Sequence, residues 1–164
     1  MFQSVIWQNP LDALSKVLVE PSVLSLIYGH RQFAVARLEA GGILLGFRRD
    51  PHLHVTTATE PRESDSRART RFDRRDASHH RAAIDAWHTS GGTMDYVGEW
   101  HTHPETSPRP SSLDLFEWRK ICSRTATPMV FAICGNNGTI WMGVGFEAGI
   151  YRAMPLTSEP SACR

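Results

Sequence analysis

A chain of 164 residues with 41% hydrophobic and 21% charged side chains has the size and composition of one ordinary globular domain with a sizeable core. Its formal net charge of +1 offers no global basic field to nucleic acid or an anionic membrane, and no window approaches the ~18 to 20 consecutive apolar residues of a membrane span. Cys122, Cys134 and Cys163 are an odd number without paired spacing, and the N-terminus lacks the charged-then-apolar pattern of a leader, so a reducing, cytoplasmic setting is expected.

In chain order, apolar periodicity alternates between strand and helix. "KVLVE" reads as a short strand, and Pro21 opens a helix in which Val23, Leu24, Ile27 and Tyr28 share one face. "GGILLGFRR" and "LHVTTATE" are two strands joined through the turn-rich "DPH". From Glu60 to Asp76 the chain is polar and rich in arginine, too long for a tight connection, and is expected to be a functional or mobile loop. "SHHRAAIDAWHTS" is a helix stopped at Gly91-Gly92, and "MDYVGEWH" is a strand. A further helix starts at "SSLDLFEWRKI", and "PMVFAICG" and "TIWMGVGF" form a hairpin across "NNG". "GIYRAM" is the last strand-like piece before a frayed tail. These elements predict a mixed α/β (α+β) fold, one domain over residues 1–164 with its core at about 17–155.

The chemistry concentrates in "GEWHTHPETSPRPSSLD", residues 98–114. On a strand, His101 and His103 lie on one face and can converge on one ion, with Thr102 pointing away. Pro104, Pro108 and Pro110 stiffen the return to a helix whose first turn carries Asp114. Two imidazoles and one carboxylate with an open fourth position are the ligand set of a catalytic rather than a structural zinc. Separately, each half has a plainer reading: satisfied polar histidines, and a Ser-x-x-Asp helix cap.

Together "HTHP" and "PSSLD" resemble the signature of the JAMM (MPN-domain) metalloproteases, matching at His101, His103, Pro104, Ser111 and Asp114. Members also carry an upstream glutamate near the end of a helix, before a glycine-containing hydrophobic strand, a context that "LEAGGILLGF" resembles with Glu39. The resemblance implies a cytidine-deaminase-like β-sheet flanked by helices, and one catalytic Zn2+ per chain held by His101, His103 and Asp114. It implies Glu39 as the acid/base partner of the attacking water and Ser111 as a donor to the oxyanion, although Ser111 would serve equally as a helix cap.

The wording of "EAGGILLGFRR", "SRARTRFDRRDASHH" and the histidine motif resembles a prokaryotic branch of this family. Its genes sit in mobile elements or antiviral operons beside proteins like ubiquitin-activating and ubiquitin-conjugating enzymes. That implies an isopeptidase acting after the tail of a ubiquitin-like modifier or a conjugated nucleotidyltransferase. The alternative is a noncatalytic MPN-like scaffold that binds a modifier.

Arg69, Arg71, Phe72 and Trp100 are the expected substrate contacts, with the arginine-rich loop holding an extended tail by strand addition. An equally open reading is a solvated loop whose Glu63, Asp65, Asp73 and Asp76 pair with its own arginines. Its offsetting charges and single aromatic argue against nucleic acid. Adjacent His79 and His80 on one helix cannot share a metal. A zinc deaminase is excluded because the chain lacks Pro-Cys-x-x-Cys, and an amidohydrolase because its barrel needs about 250 residues.

Overall fold

The computed structural model describes residues 5–156. The sheet begins earlier than the apolar pattern suggests, with β1 (Val5–Gln8) antiparallel to β2 (Lys16–Val19), Trp7 facing Val17. Four residues bounded by Asn9-Pro10 are too few to show alternation, so β1 is visible only once β2 lies beside it. Proline opens α1 (Pro21–Gly29), whose Val23, Leu24 and Ile27 are buried while Tyr28 is half-buried.

Next, β3 (Gly41–Arg49) has its first six residues all buried, because the strand is covered on both faces and apolar residues need not alternate. Strand β4 (His52–Ala58) pairs antiparallel with β3 and parallel with β2. Residues 60–76, expected as loop, contain a small antiparallel hairpin, β5 (Ser66–Ala68) and β6 (Arg71–Asp73). Strands of three residues, Ser-Arg-Ala and Arg-Phe-Asp, are too short and too polar to show apolar alternation; tertiary hydrogen bonds hold them instead.

Helix α2 (Ala77–Thr89) starts at the cap Asp76, whose side chain accepts from the Ser78 N–H. Then follow β7 (Met94–Thr102), α3 (Ser112–Arg124), β8 (Met129–Cys134), β9 (Ile140–Phe146), β10 (Gly149–Arg152) and β11 (Met154–Pro155). The order of the nine-stranded sheet is β10-β9-β8-β7-β3-β4-β2-β1-β11, with parallel pairs at β7–β8 and β2–β4. The stretch read as one last strand is two: β10 and β11 occupy opposite ends of that order yet are separated only by buried Ala153. The sheet therefore curls until its ends meet.

A larger core packs α1 against the sheet around Val17, Leu44, Trp100, Val130 and Met142. A second cluster gathers Trp118 and Cys122 of α3 with Phe131, Ile133 and Trp141, and the Trp118 ring stacks on Phe131 at 4.5 Å. Among the described residues no helix is long and apolar enough to cross a membrane. The tail after residue 156, including Cys163, lies outside the described residues. The result is a large mixed sheet flanked by three helices.

Asp65 anchors the hairpin. Its Oδ1 accepts the N–H groups of Arg75 (2.8 Å) and Asp76 (2.9 Å), and its Oδ2 accepts that of Arg62 (2.7 Å) and pairs with His79 Nε2 at 2.8 Å. Both side chains of this pair are fully buried, and His79 Nδ1 continues to Thr59 Oγ1 at 2.6 Å. Burial works against the Asp65 anion, but the bonds from His79 and the backbone outweigh it and hold its carboxyl below the usual range. Since the folded value is depressed, this stabilisation is present above the ordinary aspartate range and is lost as pH falls through the folded value. Asp65→Ala strands a buried histidine and three amides; in urea titrations it should cost about 3–5 kcal/mol, and its acid-side loss of stability should be shallower than that of the unsubstituted protein.

Candidate active site

Strand β7 carries His101, and His103 just past its last residue, to the mouth of the fold, and α3 brings Asp114 to them. The two Nε2 atoms are 3.0 Å apart; Asp114 Oδ1 is 3.4 Å from that of His101 and its Oδ2 is 3.3 Å from that of His103. Thr102, between the histidines, points away and is buried, as strand alternation requires. Both rings and the carboxylate converge on one point.

Asp114 is fixed by a capping box. Ser111 Oγ accepts from the Asp114 N–H at 3.1 Å, and Asp114 Oδ2 accepts from the Ser111 N–H at 2.7 Å. The capping role and the site role of this pair are thus compatible, because capping uses an acceptor on Ser111 and leaves its hydroxyl hydrogen free. One turn on, Trp118 lies on the same helix face and packs against the His101 ring, with centroids 5.7 Å apart. The proline-rich return is braced by the β8–β9 turn, where Asn136 Nδ2 donates to the Pro104 carbonyl at 2.7 Å and the Asn136 N–H to that of Glu105 at 2.9 Å.

Glu39 comes from elsewhere in the chain. It stands not at a helix end but in a non-helical stretch between the end of α1 at Gly29 and the start of β3 at Gly41. The β3–β7 register sets Gly41 opposite His101 and so delivers Glu39 to the histidines, with Oε1 3.9 Å from His101 Nε2. Gly41 is required here: a Cβ would stand 2.7 Å from the Trp100 carbonyl oxygen, which the sheet holds in place, as well as 2.5 Å from the Phe72 ring that closes over the strand. Glu39, His101 and His103 offer ligand atoms within 4.8 Å of one another.

The electrostatics follow from crowding four titratable groups in a buried place. Burial pushes the Glu39 carboxyl up to about 7, against the pull of His101 and His103. Burial also opposes the Asp114 anion, but hydrogen bonds to both histidines win and hold its carboxyl far below the usual range. For His103, burial favours the neutral ring, yet the bond and charge of Asp114 outweigh it and raise its pKa. Glu105, which sequence reasoning missed, sits with Oε2 3.3 Å from His103 Nδ1 and so keeps Nε2 directed inward.

The donor set fits a zinc-type ion. Ligand bonds of about 2.0–2.1 Å to a tetrahedral ion place donors about 3.3 Å apart. Asp114 comes within about that edge of each histidine, of His101 through Oδ1 and of His103 through Oδ2; the histidine pair lies slightly inside it, and Glu39 is set further back at 3.9 Å.

Two cavities meet at this cluster and share Glu39, Arg71, Phe72, Leu113 and Asp114. The larger, about 310 Å³, runs between β6 and α3 past Glu117 and Trp118 to Ile121. The smaller, about 140 Å³, lies towards His103, Glu105 and Ser111. Among the described residues β6 pairs only with β5, so its outer edge is open. Of the expected substrate contacts, Arg71 and Phe72 border both cavities. Arg69 does not; its guanidinium donates to the Val35 carbonyl at 2.6 Å. Trp100 lines the larger cavity, but its indole is 1% exposed and donates from Nε1 to the Thr59 carbonyl, so most of the ring serves the core.

The solvated-loop reading fits one pair of the 60–76 segment, Asp73 with Arg75; Asp65 instead pairs with buried His79 of α2, Asp76 caps that helix, and Arg74 reaches Glu99 of β7. His79 is buried while His80 is exposed, so they share no ligand. Cys122 and Cys134 are buried free thiols, and burial pushes that of Cys134 up to about 12, unsuited to nucleophilic work.

Comparison with known proteins agrees with this geometry. The chain is 38% identical over 133 residues to a CD-NTase/cGAS isopeptidase of Escherichia coli (80% of this chain, 83% of that protein). It is 39% identical over 118 residues to a protein of the same name from Pseudomonas aeruginosa (71% and 75%). A Desulfitobacterium hafniense protein solved in solution has the same fold, with TM-score 0.59 at 17% identity over 82% of this chain and 87% of that one. Residues 21–144 match the family described as prokaryotic homologs of the JAB domain, and the chain belongs to that family.

Proposed function

We propose that this chain is a zinc-dependent isopeptidase that hydrolyses the bond after the C-terminal tail of a ubiquitin-like modifier or of a conjugated nucleotidyltransferase, in an antiphage defence system. The observation that carries this reading is the meeting of Glu39 with His101, His103 and Asp114 at the junction of two cavities, one on each side of the reacting centre. The isopeptidase names of its relatives support the substrate class.

His101, His103 and Asp114 would hold the zinc, which when bound acidifies a water towards pKa 7 or so and polarises a carbonyl. Glu39 accepts the proton of the attacking water as its oxygen bonds to the scissile carbon, then passes that proton to the departing amine as the C–N bond breaks. No covalent enzyme intermediate is needed. The larger cavity takes the extended tail along the open edge of β6, and the smaller takes the amine side. The Ser111 hydroxyl hydrogen, unused by the helix cap, donates to the developing oxyanion.

Ser111→Ala should therefore do two separable things. It should lower stability by ~1 kcal/mol through the lost cap, and lower kcat by about 10²–10³-fold through the lost donor. A stability loss with unchanged kcat would leave Ser111 as a cap alone. The function itself is tested by incubating the zinc-loaded protein with tail–reporter fusions of a ubiquitin-like modifier and of a CD-NTase and identifying products by mass spectrometry. Cleavage after the terminal tail residue is expected; tight binding of the fusion without any cleavage would favour the scaffold instead.

A further inference from the structure

The β5–β6 hairpin does more than border the cavity: it holds the backbone of Glu39 at both its N–H and its carbonyl. The Glu39 N–H donates to the Ala68 carbonyl at 2.8 Å, and the Glu39 carbonyl accepts from Arg67 Nε at 2.8 Å, with a second guanidinium nitrogen 3.4 Å from the Leu38 carbonyl. This stretch has no helix or strand ladder to fix it, so β5 supplies the hydrogen bonds that regular structure would otherwise provide.

The opposite side of the frame belongs to the histidine strand. The Ala40 N–H donates to Thr102 Oγ1 at 3.0 Å, and the Thr102 N–H to the Ala40 carbonyl at 2.8 Å. Thr102 Oγ1 in turn donates to Gln32 Oε1 at 3.0 Å, while Gln32 Nε2 reaches the hairpin turn at the Arg69 carbonyl, 2.7 Å away. Gln32 is 4% exposed and spends its amide entirely within this frame. Hairpin, Glu39 and the strand leading into the two histidines are thus one connected unit, in which the Glu39–Ala40 peptide is held by Thr102 at its N–H and by Arg67 at its carbonyl.

We infer that Arg67 is a positioning residue for Glu39: its guanidinium fixes the carboxylate's approach to the metal-ligand cluster and touches neither metal nor substrate. The inference rests on the hydrolytic reading above. An error of about 1 Å in a catalytic group can cost on the order of 10²-fold in rate, so a lost grip should appear in kcat rather than in binding.

The test compares zinc-loaded protein carrying Arg67→Met, which keeps the apolar stem without the donor, with Arg67→Lys, which restores a donor. Arg67→Met should lower kcat on a cleaved tail fusion by at least about 10-fold with KM within about twofold and zinc content unchanged, and Arg67→Lys should recover most of the loss. A change confined to KM, or a kcat within twofold of the unsubstituted value, overturns the inference. Amide hydrogen exchange decides it independently of turnover: the Glu39 N–H should exchange at least about 10-fold faster in Arg67→Met while that of Leu44, within β3, is unchanged. Unaltered Glu39 protection overturns the positioning role even if no fusion is cut, whereas absence of cleavage by the unsubstituted protein counts against the isopeptidase reading alone.

Discussion

Glu39→Gln should reduce cleavage of a tail fusion by about 10²–10⁴-fold while leaving zinc content and tail binding intact. The amide has the size of the carboxyl but cannot take a proton from water and return it to a leaving amine. Glu39 is 4% exposed, so the substitution also removes a carboxyl that the fold desolvates. In metal-free protein the raised value, about 7, means that the folded state binds the Glu39 proton more tightly than the unfolded chain does. Its contribution to stability therefore falls as pH rises from the ordinary carboxyl range through about 7, and the Gln variant should lack that decline in chelated samples followed by thermal unfolding. A fall in activity accompanied by equal loss of zinc would instead make Glu39 a ligand.

Asp114→Asn is the complementary case. Asparagine can still accept from the Ser111 N–H and preserve the start of α3, but it removes the anionic donor that lies 3.3–3.4 Å from both imidazoles. Zinc affinity should fall by at least about 100-fold, beyond what loss of an outer hydrogen-bond partner costs, and cleavage should fall with it unless zinc is supplied in excess. Zinc titration with a competing chelator measures this directly. Affinity unchanged in Asp114→Asn, with affinity lost in Glu39→Gln, would exchange the roles of the two carboxylates.

How much of this was legible in the sequence depends on the range of the contacts. His101, His103, Ser111 and Asp114 were readable because their geometry is local: a two-residue strand period, a stiff proline-rich return and a helix first turn. Glu39 was reached through family resemblance, since its approach depends on Gly41 facing His101 across β3 and β7, a pairing that no spacing specifies. Arg67, Gln32 and Asp65 were missed for a related reason. Their partners are backbone groups or buried side chains far along the chain, so alone each reads as a solvated polar residue. Trp100 shows the converse: its face on β7 was legible, but which side of the sheet was core required knowing that α1 packs there.

The curl of the sheet was likewise invisible. "GIYRAM" reads as one strand, and only the partners of its two halves, β9 for β10 and β1 for β11, divide it at Ala153. The fold class survived these omissions because it rests on the long apolar strands and amphipathic helices, whose periodicity is strong, rather than on the edge strands.

The most direct test of the central claim is metal analysis and turnover on one preparation: zinc per chain by elemental analysis, then cleavage of a CD-NTase tail fusion before chelation, after chelation, and after zinc is returned. About one zinc per chain is expected, with cleavage abolished on its removal and restored on its return. Cleavage that persists in the stripped protein, or a chain that binds no zinc at all, would contradict that claim.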